Sequence, residues 1–453
     1  MSGPLTIVGL GPGRPELRTL AAQKAIDDAS TIILRTRIHP GLRDLQGDVR
    51  VTSCDDLYDS GESFEATYAA IVERVTQAVT SGPVVFAVPG HPLFGETAVV
   101  RLMAWAASND VPVTVVDGVS ALDAIATALT VDPFARQVQL LDGAAIASLL
   151  ASTWPGSGDI AIDPRRPCLV TQVYDRHIAS STKIVLSRIY PDSHPIAVVQ
   201  GAGSGATPEV NNCLLYELDR VDINHLCSVW VDAQPQLGAA RSPFTLQSIV
   251  NRLRSPTGCP WDRAQTHQTL RGAMIEEAYE VVDSIDEGDP DHLAEELGDV
   301  ILQAFLHAQI ADERGDFSIE DIWEQLNRKL VRRHPHVFGD VEASSVDEVR
   351  ATWDNVKAQE PGRTAPDDSQ LGLLRRLPRS MPAMTRALML LAPTGNSPRG
   401  APSNTRDGGM GDALLTLLVK ATDQGIDVEA ALGDALQRTC AAGTLHHHTE
   451  LEG

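Results

Sequence analysis

The chain lacks the features of a membrane or exported protein. No apolar run approaches the roughly 20 residues needed to span a bilayer. The N-terminal stretch MSGPLTIVGLGPG has no basic segment before its short apolar run, so it does not resemble a signal peptide. We therefore expect a cytoplasmic protein without membrane contact.

Cysteine and basic charge are also scarce. Six cysteines are scattered without a CxxC pair, which argues against a disulfide framework or a zinc site and favours isolated thiols. The 60 Asp and Glu residues outnumber 37 Lys and Arg residues, for a net charge of -23. A broad nucleic-acid surface needs clustered basic residues, so nucleic acid is not an expected partner. The acidic excess fits either a metal site for phosphorylated molecules or a merely solubilising surface.

Two styles of sequence meet near residue 240 of the 453 residues. Before that point, short apolar runs such as PVVFAVPG end in Gly-rich turns and alternate with helical stretches, which predicts an α/β domain with a largely parallel sheet. We interpret 152–167 as the connection between two halves of this domain. After residue 240, strand signals vanish and apolar residues recur with the 3.6 period of helices. The predicted segments are domains at 1–239, 240–360 and 361–453, a linker at 361–370 and a low-complexity loop at 393–411.

Two acidic pairs lie on a predicted helical hairpin. Glu277 and Glu280 are three residues apart in MIEEAYEVVDSID, so they share a helix face. Glu296 and Asp299 have the same spacing in LAEELGDVILQ, after the turn sequence EGDPDH. Converging carboxylates repel one another unless a cation lies between them, and hard oxygen ligands select Mg²⁺ or Mn²⁺. The alternative is that these carboxylates populate solvated helix faces, but the apolar residues beside each pair favour a position at a core boundary.

The segment from GCPWDRAQTHQTLRGAMIEEAYEVVDSI to WDNVKAQE resembles the MazG family of all-α nucleoside triphosphate pyrophosphohydrolases, over roughly residues 243–360. The family's E-E-x-x-E and E-x-x-D motifs are intact. The resemblance implies Mg²⁺-dependent hydrolysis between the α- and β-phosphates, which yields a nucleoside monophosphate and pyrophosphate. It makes Glu276 a catalytic carboxylate that supports the ligands or positions water. The implied metal ligands are Glu277, Glu280, Glu296 and Asp299.

A basic helix end follows the acidic hairpin. Lys329 and Arg333 are four residues apart in KLVRR, so they share a face and can clamp phosphate groups, with Arg332 beside them. The alternative is an ordinary basic helix C-terminus that the helix dipole favours. The family resemblance favours the phosphate clamp.

Two tryptophans are further candidates for nucleotide contact. The resemblance makes Trp353 and Lys357, which are four residues apart, contacts of the nucleotide. We interpret Trp261, in the Cys-Pro-Trp motif, as either a core residue or a contact of the base. Small all-α units need partners to bury their apolar faces, and the resemblance implies oligomers. We therefore expect a homodimer or a larger assembly.

The C-terminal tail resembles a second, degenerate copy of the helical unit. Gly411 and Asp412 correspond to Gly298 and Asp299, but Gly409 stands where a glutamate is expected. No E-E-x-x-E motif precedes it. This copy is therefore predicted to contribute packing and no chemistry, and the alternative is an unrelated helical tail.

A Gly-rich turn follows the first predicted strand, in LTIVGLGPG. Glycines at such a turn let the backbone approach a ligand closely. Together with VPGHPLFG, VDGVS and TQVY, this turn resembles the tetrapyrrole methylases over about residues 4–235. The resemblance implies a cleft for S-adenosylmethionine. Its cofactor contacts would be Gly9, Gly11, Gly13, Pro89, Gly90 and Ser120.

Two positions near this cleft depart from the methylase pattern. His91 stands where the second motif usually has an aspartate, and Asp117 stands where the third motif commonly has a proline. Because both positions lie near the cofactor cleft, these substitutions affect the expectation of methyl transfer and leave the expected fold unchanged.

The whole chain resembles the YabN-type fusion of these two families. The expected fold is an N-terminal α/β tetrapyrrole methylase-like domain, followed by an all-α MazG-like helical bundle with a degenerate second repeat. One candidate function is a pyrophosphohydrolase that cleans the nucleotide pool. The alternatives are an S-adenosylmethionine-dependent tetrapyrrole-type methyltransferase with an auxiliary helical domain, and a methylase fold that binds a small ligand and regulates the hydrolase. The acidic motif is complete whereas the methylase motifs carry substitutions, which favours the first function.

Overall fold

The computed structural model describes most of the chain, and the chain divides into two compact units, Met1–Arg314 and Gly315–Gly453. The predicted linker at 361–370 and residues 393–407 of the predicted low-complexity loop lie outside the described residues. The described residues are 3–45, 47–60, 64–152, 161–235, 237–358, parts of 372–386, and 408–442.

The first sheet of the first unit is parallel throughout. Its five strands lie in the order β3-β2-β4-β1-β5, and each neighbouring pair is parallel. Strands β1 and β4 are almost completely buried, which is why they appear in the sequence as continuous apolar runs. The predicted parallel α/β sheet is confirmed here. The strands are β1 (Leu5–Gly9), β2 (Ile32–Leu34), β3 (Val51–Ser53), β4 (Val84–Val88) and β5 (Val113–Val116).

Helices connect these strands and bury their apolar faces against the sheet. Leu5 and Phe86 of the sheet and Leu102 of a helix belong to one core cluster. Short 3-10 helices lie at Pro15–Leu17 and Pro40–Leu45. The α-helices are α1 (Leu20–Asp27), α2 (Asp55–Ser60), α3 (Phe64–Ser81), α4 (Thr97–Ser108) and α5 (Ala121–Leu129).

The second sheet is mixed, with the strand order β6-β7-β10-β8-β9. Strands β6 and β7 are parallel, whereas the other three pairings described are antiparallel. The expectation of a largely parallel sheet is therefore wrong for this half. Its strands are β6 (Gln139–Asp142), β7 (Cys168–Thr171), β8 (Pro195–Gln200), β9 (Glu209–Leu214) and β10 (Cys227–Val231), and its helices are α6 (Gly143–Ser152), α7 (Arg176–Leu186) and a 3-10 helix at Leu215–Arg220.

The two halves of the α/β region join earlier than predicted. Strand β6 and helix α6 already belong to the second sheet, so the chain passes between the sheets after β5. Residues 161–167 lead into β7, inside the second half, and 153–160 lie outside the described residues. The interpretation of 152–167 as the connection is therefore wrong. Strand β6 has four residues, and none of them is fully buried, so it lacks the buried apolar run that marks strands such as β1 and β4.

Four helices complete the first unit: α8 (Pro243–Arg254), α9 (Pro260–Ala264), α10 (Arg271–Glu287) and α11 (Pro290–Asp312). Helix α10 ends at Gly288, which has φ +73°, a conformation that glycine adopts without steric cost. Asp289 then caps α11, because its side chain accepts hydrogen bonds from the amides of Asp291 and His292. Pro290 is the first residue of this helix. The predicted helical hairpin is confirmed.

The second unit is helical in its described part, with α12 (Ile319–Arg333), α13 (Pro335–Phe338), α14 (Val346–Ala358), α15 (Gly408–Asp423) and α16 (Val428–Ala441). Helix α12 ends directly before His334 and Pro335, so Lys329, Arg332 and Arg333 lie at the end of a helix, as predicted. Helix α15 begins at Gly408, so the last four residues of the predicted loop are helical. The six cysteines are free thiols. Among the described residues, no helix is both long and apolar enough to cross a membrane.

Candidate functional site

Three acidic side chains converge on the α10–α11 hairpin. Glu277 and Glu280 lie one turn apart on α10, and Glu296 lies on α11. One carboxylate oxygen from each lies within 4.8 Å of the other two. Glu277 and Glu296 are half-buried, whereas Glu280 is exposed. Two helices thus present oxygen ligands of the type that Mg²⁺ and Mn²⁺ prefer.

The fourth predicted ligand lies beside this group. Asp299 follows Glu296 by one turn of α11 and is half-buried. It is outside the set of three converging oxygens, but its charge acts on Glu277. Burial is the main cause that raises the pKa of Glu277, and the charges of Asp299 and Glu280 raise it further. Glu276 is exposed and is also outside the set.

Two neighbours of the carboxylates were missed in the sequence. The Nε2 of Gln303 donates a hydrogen bond of 3.2 Å to Glu277 Oε1 across the hairpin. His292 lies 3.1 Å from Glu296 through Nε2 and 2.9 Å from Glu287 through Nδ1. These contacts raise the pKa of His292, with the Glu287 hydrogen bond as the largest cause. Both residues have helical spacing from Glu296, four before and seven after, which is the signal that could have found them.

The apolar residues beside the acidic pairs are exposed. Ile275, Tyr279 and Val282 on α10 all expose more than two fifths of their surface, as do Leu297 and Ile301 on α11. The carboxylates therefore lie between a small buried interior and an uncovered apolar surface. The predicted core boundary is present for the half-buried ligands, but the apolar residues next to them are exposed in the part of the chain that the structure describes.

The basic helix end lies on α12. Lys329 and Arg332 are exposed, and Arg333 is half-buried. The ring of His334, the next residue, meets the ring of Trp353 on α14 edge-to-face, with 5.0 Å between centroids. The structure thus places one predicted aromatic contact beside the end of the predicted phosphate clamp. Both belong to the second compact unit.

The remaining predicted nucleotide contacts are less well supported by their surroundings. Lys357 lies on α14, but its side chain is outside the described residues. Trp261 lies on the short helix α9 and exposes 64% of its surface. It is therefore not a core residue of this chain, and the core interpretation is wrong.

In the α/β region, the glycine loops after β1, β4 and β5 pack on one another. Gly11 and Gly90 exchange two backbone hydrogen bonds, of 3.1 and 2.8 Å. A Cβ atom on Gly9 would lie 2.6 Å from the Gly90 oxygen and 2.7 Å from the Gly118 nitrogen. Glycine is required here because backbone meets backbone. We expected these glycines to let the backbone approach a ligand. In the structure they let the backbones of neighbouring loops approach one another.

The other predicted cofactor residues also have partners within the chain. A Cβ atom on Gly13 would lie 2.6 Å from Ser204 Cα, so this turn packs against the loop after β8. Ser120 caps α5. Its hydroxyl oxygen accepts a hydrogen bond from the Leu122 amide, and its own amide donates one to the Asp123 carboxylate. Pro89 directly follows β4 and is half-buried.

The two departures from the methylase pattern lie together. His91 Nε2 is 3.6 Å from Asp117 Oδ1, across the loops that follow β4 and β5. Asp117 is largely exposed, and His91 is mostly buried. Ligands of open α/β sheets bind outside the carboxyl ends of the strands. A polar pair therefore replaces the expected residues at the mouth of the predicted cleft.

Comparisons with known proteins divide the chain in the same way. The family of tetrapyrrole (corrin/porphyrin) methylases matches residues 4–219, and the MazG nucleotide pyrophosphohydrolase domain matches residues 265–338. The uroporphyrin-III C-methyltransferase of Thermus thermophilus, solved with S-adenosyl homocysteine, is 20% identical, with a TM-score of 0.38 over 51% of this chain and 97% of that one.

Two relatives that match the helical region are named for an enzymatic activity. The nucleoside triphosphate pyrophosphohydrolase/pyrophosphatase MazG of Thermotoga maritima is 50% identical over 142 residues, which are 31% of this chain and 52% of that protein. The nucleoside triphosphate pyrophosphohydrolase of Escherichia coli K12 is 45% identical over 143 residues, or 31% and 53% of the two chains. This chain thus spans about half the length of each.

One relative extends across both regions. The uncharacterized protein YabN of Bacillus subtilis is 38% identical over 393 residues, which cover 86% of this chain and 77% of that protein. The match passes through the α/β region and the acidic hairpin together, in the same order. This chain therefore belongs to the YabN family, with a tetrapyrrole methylase-type domain followed by a MazG nucleotide pyrophosphohydrolase domain.

Proposed function

We propose that the helical region hydrolyses nucleoside triphosphates to nucleoside monophosphates and pyrophosphate, with Mg²⁺ as its cofactor. The observation that carries this proposal is the convergence of Glu277, Glu280 and Glu296 within 4.8 Å. Three carboxylates at that distance repel one another, so the cluster is suited to a hard divalent cation. The names of the MazG relatives support the same activity.

The residues of the cluster fit such an ion by their chemistry. Glu277, Glu280 and Glu296, together with Asp299, would hold it, and Mn²⁺ would substitute for Mg²⁺. The four carboxylates would hold a divalent cation that would offset part of the triphosphate charge and would lower the pKa of a bound water. Glu276 is proposed to orient the attacking water as a neighbouring carboxylate.

The substrate is proposed to be held by the basic and aromatic residues. Lys329, Arg332 and Arg333 would bind phosphate oxygens through charge-assisted hydrogen bonds. Trp353 and Lys357 would contact the nucleotide, and the exposed ring of Trp261 is available to a base. The removal of unwanted nucleoside triphosphates from the pool is the role that we propose for this reaction.

The bond that is cleaved can be tested with labelled water. The full chain is incubated with Mg²⁺ and each of a panel of ribo- and deoxyribonucleoside triphosphates in H₂¹⁸O. Attack at the α-phosphorus puts the label in the monophosphate and releases unlabelled pyrophosphate. Release of orthophosphate and nucleoside diphosphate as main products would rule out the proposed activity.

A homodimer is proposed to cover the exposed face of the hairpin, on which Ile275, Val282 and Ile285 lie on α10. Apolar residues at helical spacing are stabilised by packing against another helix. Light scattering should give twice the monomer mass for the natural chain. Ile285→Lys should shift it to the monomer, whereas Val346→Lys, at an exposed site on α14, should not. A monomeric natural chain would contradict this assembly.

The N-terminal domain is proposed to bind S-adenosylmethionine at the loops after β1, β4 and β5. The contacts between Gly9, Gly11 and Gly90 keep these loops together at the carboxyl ends of the strands. Calorimetric titration of the full chain tests the idea, and His91→Asp, which introduces the residue usual in methylases, should strengthen binding. Absence of binding to both chains would leave a methylase fold without this cofactor.

The segment boundaries at 239/240 and 360/361 are proposed on the sequence pattern, and the tail is proposed to pack without chemistry. Gly409 and Gly411 on α15 offer no side chains to a metal. Partial proteolysis followed by mass spectrometry would locate the boundaries.

A further inference from the structure

Gln303 is a buried polar residue on an otherwise apolar part of α11. It exposes 5% of its surface, and its neighbours Phe305 and Leu306 are buried as well. The amide Nε2 donates to Glu277 Oε1 at 3.2 Å. Its Oε1 is buried and accepts no hydrogen bond from any residue that the structure describes. A half-satisfied amide at such a position costs free energy relative to an apolar side chain.

The position of Gln303 matches the metal cluster. It follows Asp299 by four residues and Glu296 by seven, so it shares their helix face. Its side-chain hydrogen bond crosses from α11 to α10 and ends on Glu277, a carboxylate of the cluster.

We propose that Gln303 is a positioning residue, which fixes the carboxylate of Glu277 so that it can share a cation with Glu280 and Glu296. Without a donor, repulsion would turn the Glu277 carboxylate away from its two neighbours. With one lone pair engaged by the amide, the carboxylate keeps its orientation and its other lone pairs remain available to a cation. This role rests on the proposed function only insofar as the bound cation serves hydrolysis.

The chain contains a matched control on the same helix. Gln309 Nε2 donates to Glu313 Oε1 at 3.4 Å, so it makes the same type of contact. Glu313 is outside the carboxylate cluster and pairs with Arg254. Replacing either glutamine by methionine removes the donor and keeps a side chain of similar length, which a buried site tolerates.

The first measurement is Mn²⁺ binding to the full chain without nucleotide, followed by electron paramagnetic resonance of the free ion. Outer partners of metal ligands change affinity by roughly 10–100-fold when they are removed. We expect a loss of that size for Gln303→Met and no change for Gln309→Met. Circular dichroism checks that each variant is folded. If Gln303→Met does not fold, Gln303→Asn keeps an amide that is too short to reach Glu277 and should show the same loss.

The second measurement separates positioning from a merely structural role. In Gln303→Met, the Mg²⁺ concentration for half-maximal hydrolysis should rise by roughly 10–100-fold, while saturating Mg²⁺ restores kcat. A folded Gln303 variant with natural Mn²⁺ affinity would overturn the positioning role and leave the proposed hydrolysis intact. A natural chain that binds Mn²⁺ but hydrolyses no nucleoside triphosphate would refute the proposed function alone. A natural chain that binds no Mn²⁺ would refute both.

Discussion

Replacing Glu277 by glutamine should stabilise the metal-free chain and remove its response to Mg²⁺. Glu277 is half-buried, and oxygens of Glu280 and Glu296 lie within 4.8 Å of it. Glutamine has the same shape and retains an oxygen that can accept from Gln303. The substitution therefore removes a negative charge and changes little else.

The size of the effect follows from the distance between these groups. Two unit charges at 4.8 Å, the upper limit of the distances between these oxygens, repel by about 0.9 kcal/mol at the permittivity of water and by about 3.5 kcal/mol at an effective permittivity of 20. The exposed Glu280 lies near the lower value, and the half-buried Glu296 lies between the two. Glu277→Gln removes the repulsion of Glu277 with Glu280 and with Glu296, so it should stabilise the metal-free protein by about 2 kcal/mol at low ionic strength. For a domain of 150–250 residues this raises Tm by roughly 4–8 °C.

The assay is thermal unfolding of the full chain, followed by circular dichroism of the helices, in chelator and in saturating Mg²⁺. The natural chain should gain Tm with Mg²⁺, because a ligand at 100 times its Kd stabilises by about 2.7 kcal/mol. The Glu277→Gln chain should have a higher Tm in chelator, and Mg²⁺ should raise that Tm only slightly. Glu295→Gln, at an exposed position on α11, should behave as the natural chain does.

Two results would refute this reasoning. If the Glu277→Gln chain unfolds at a lower temperature than the natural chain in chelator, the carboxylates do not repel one another. An undiminished gain with Mg²⁺ would place the cation elsewhere. High salt provides a further check, since it should shrink the difference between the two metal-free chains.

Three further predictions concern other parts of the molecule. Neutralising Lys329 or Arg333 to glutamine should lower kcat/KM by about 10–150-fold, because each charge-assisted phosphate contact contributes roughly 1.5–3 kcal/mol. Mn²⁺ affinity should not change, and unaltered kcat/KM would leave both as plain helix-end cations. Burial and the neighbouring His267, with Nδ1 atoms 2.8 Å apart, lower the pKa of His307 from 6.5. The unfolded chain then binds the proton more readily, so the stability of the hairpin should rise with pH up to about 6.5 and be lost below it, as the native histidine is forced to accept a proton. His307→Asn should flatten this pH dependence of unfolding, and an unchanged slope would assign it to another group. Finally, residues 240–453 alone should hydrolyse nucleoside triphosphates with comparable kcat if they fold and assemble, and a folded but inactive fragment would show that the N-terminal domain is required.

The sequence alone predicted the features that local interactions determine. The hairpin is specified by Gly288 in a left-handed conformation, the Asp289 cap and Pro290, all within three residues of one another. The acidic spacing on each helix follows from the 3.6-residue period, and the buried strands β1 and β4 follow from their continuous apolar runs. Such features need no knowledge of distant residues.

Strand β6 and the mixed second sheet depended on partners distant in the chain. The short, partly buried β6 carries little intrinsic signal, and it becomes a strand by pairing with β7. Whether strands run parallel or antiparallel is likewise a property of the pairing. The connection between the two halves was therefore misplaced.

The site shows the same division. The sequence supplied Glu277, Glu280 and Glu296 as carboxylates on predicted helix faces, but only the packing of α10 on α11 brought their oxygens within 4.8 Å. It also turned Gln303 towards Glu277. The spacing of Gln303 from Glu296 places it on the ligand face, but the spacing does not show that it contacts Glu277. Helical periodicity determines which residues share a face, and the tertiary structure decides which faces meet. The orientation of a side chain across two helices is a long-range property, because it arises from contacts between residues that are far apart in the chain.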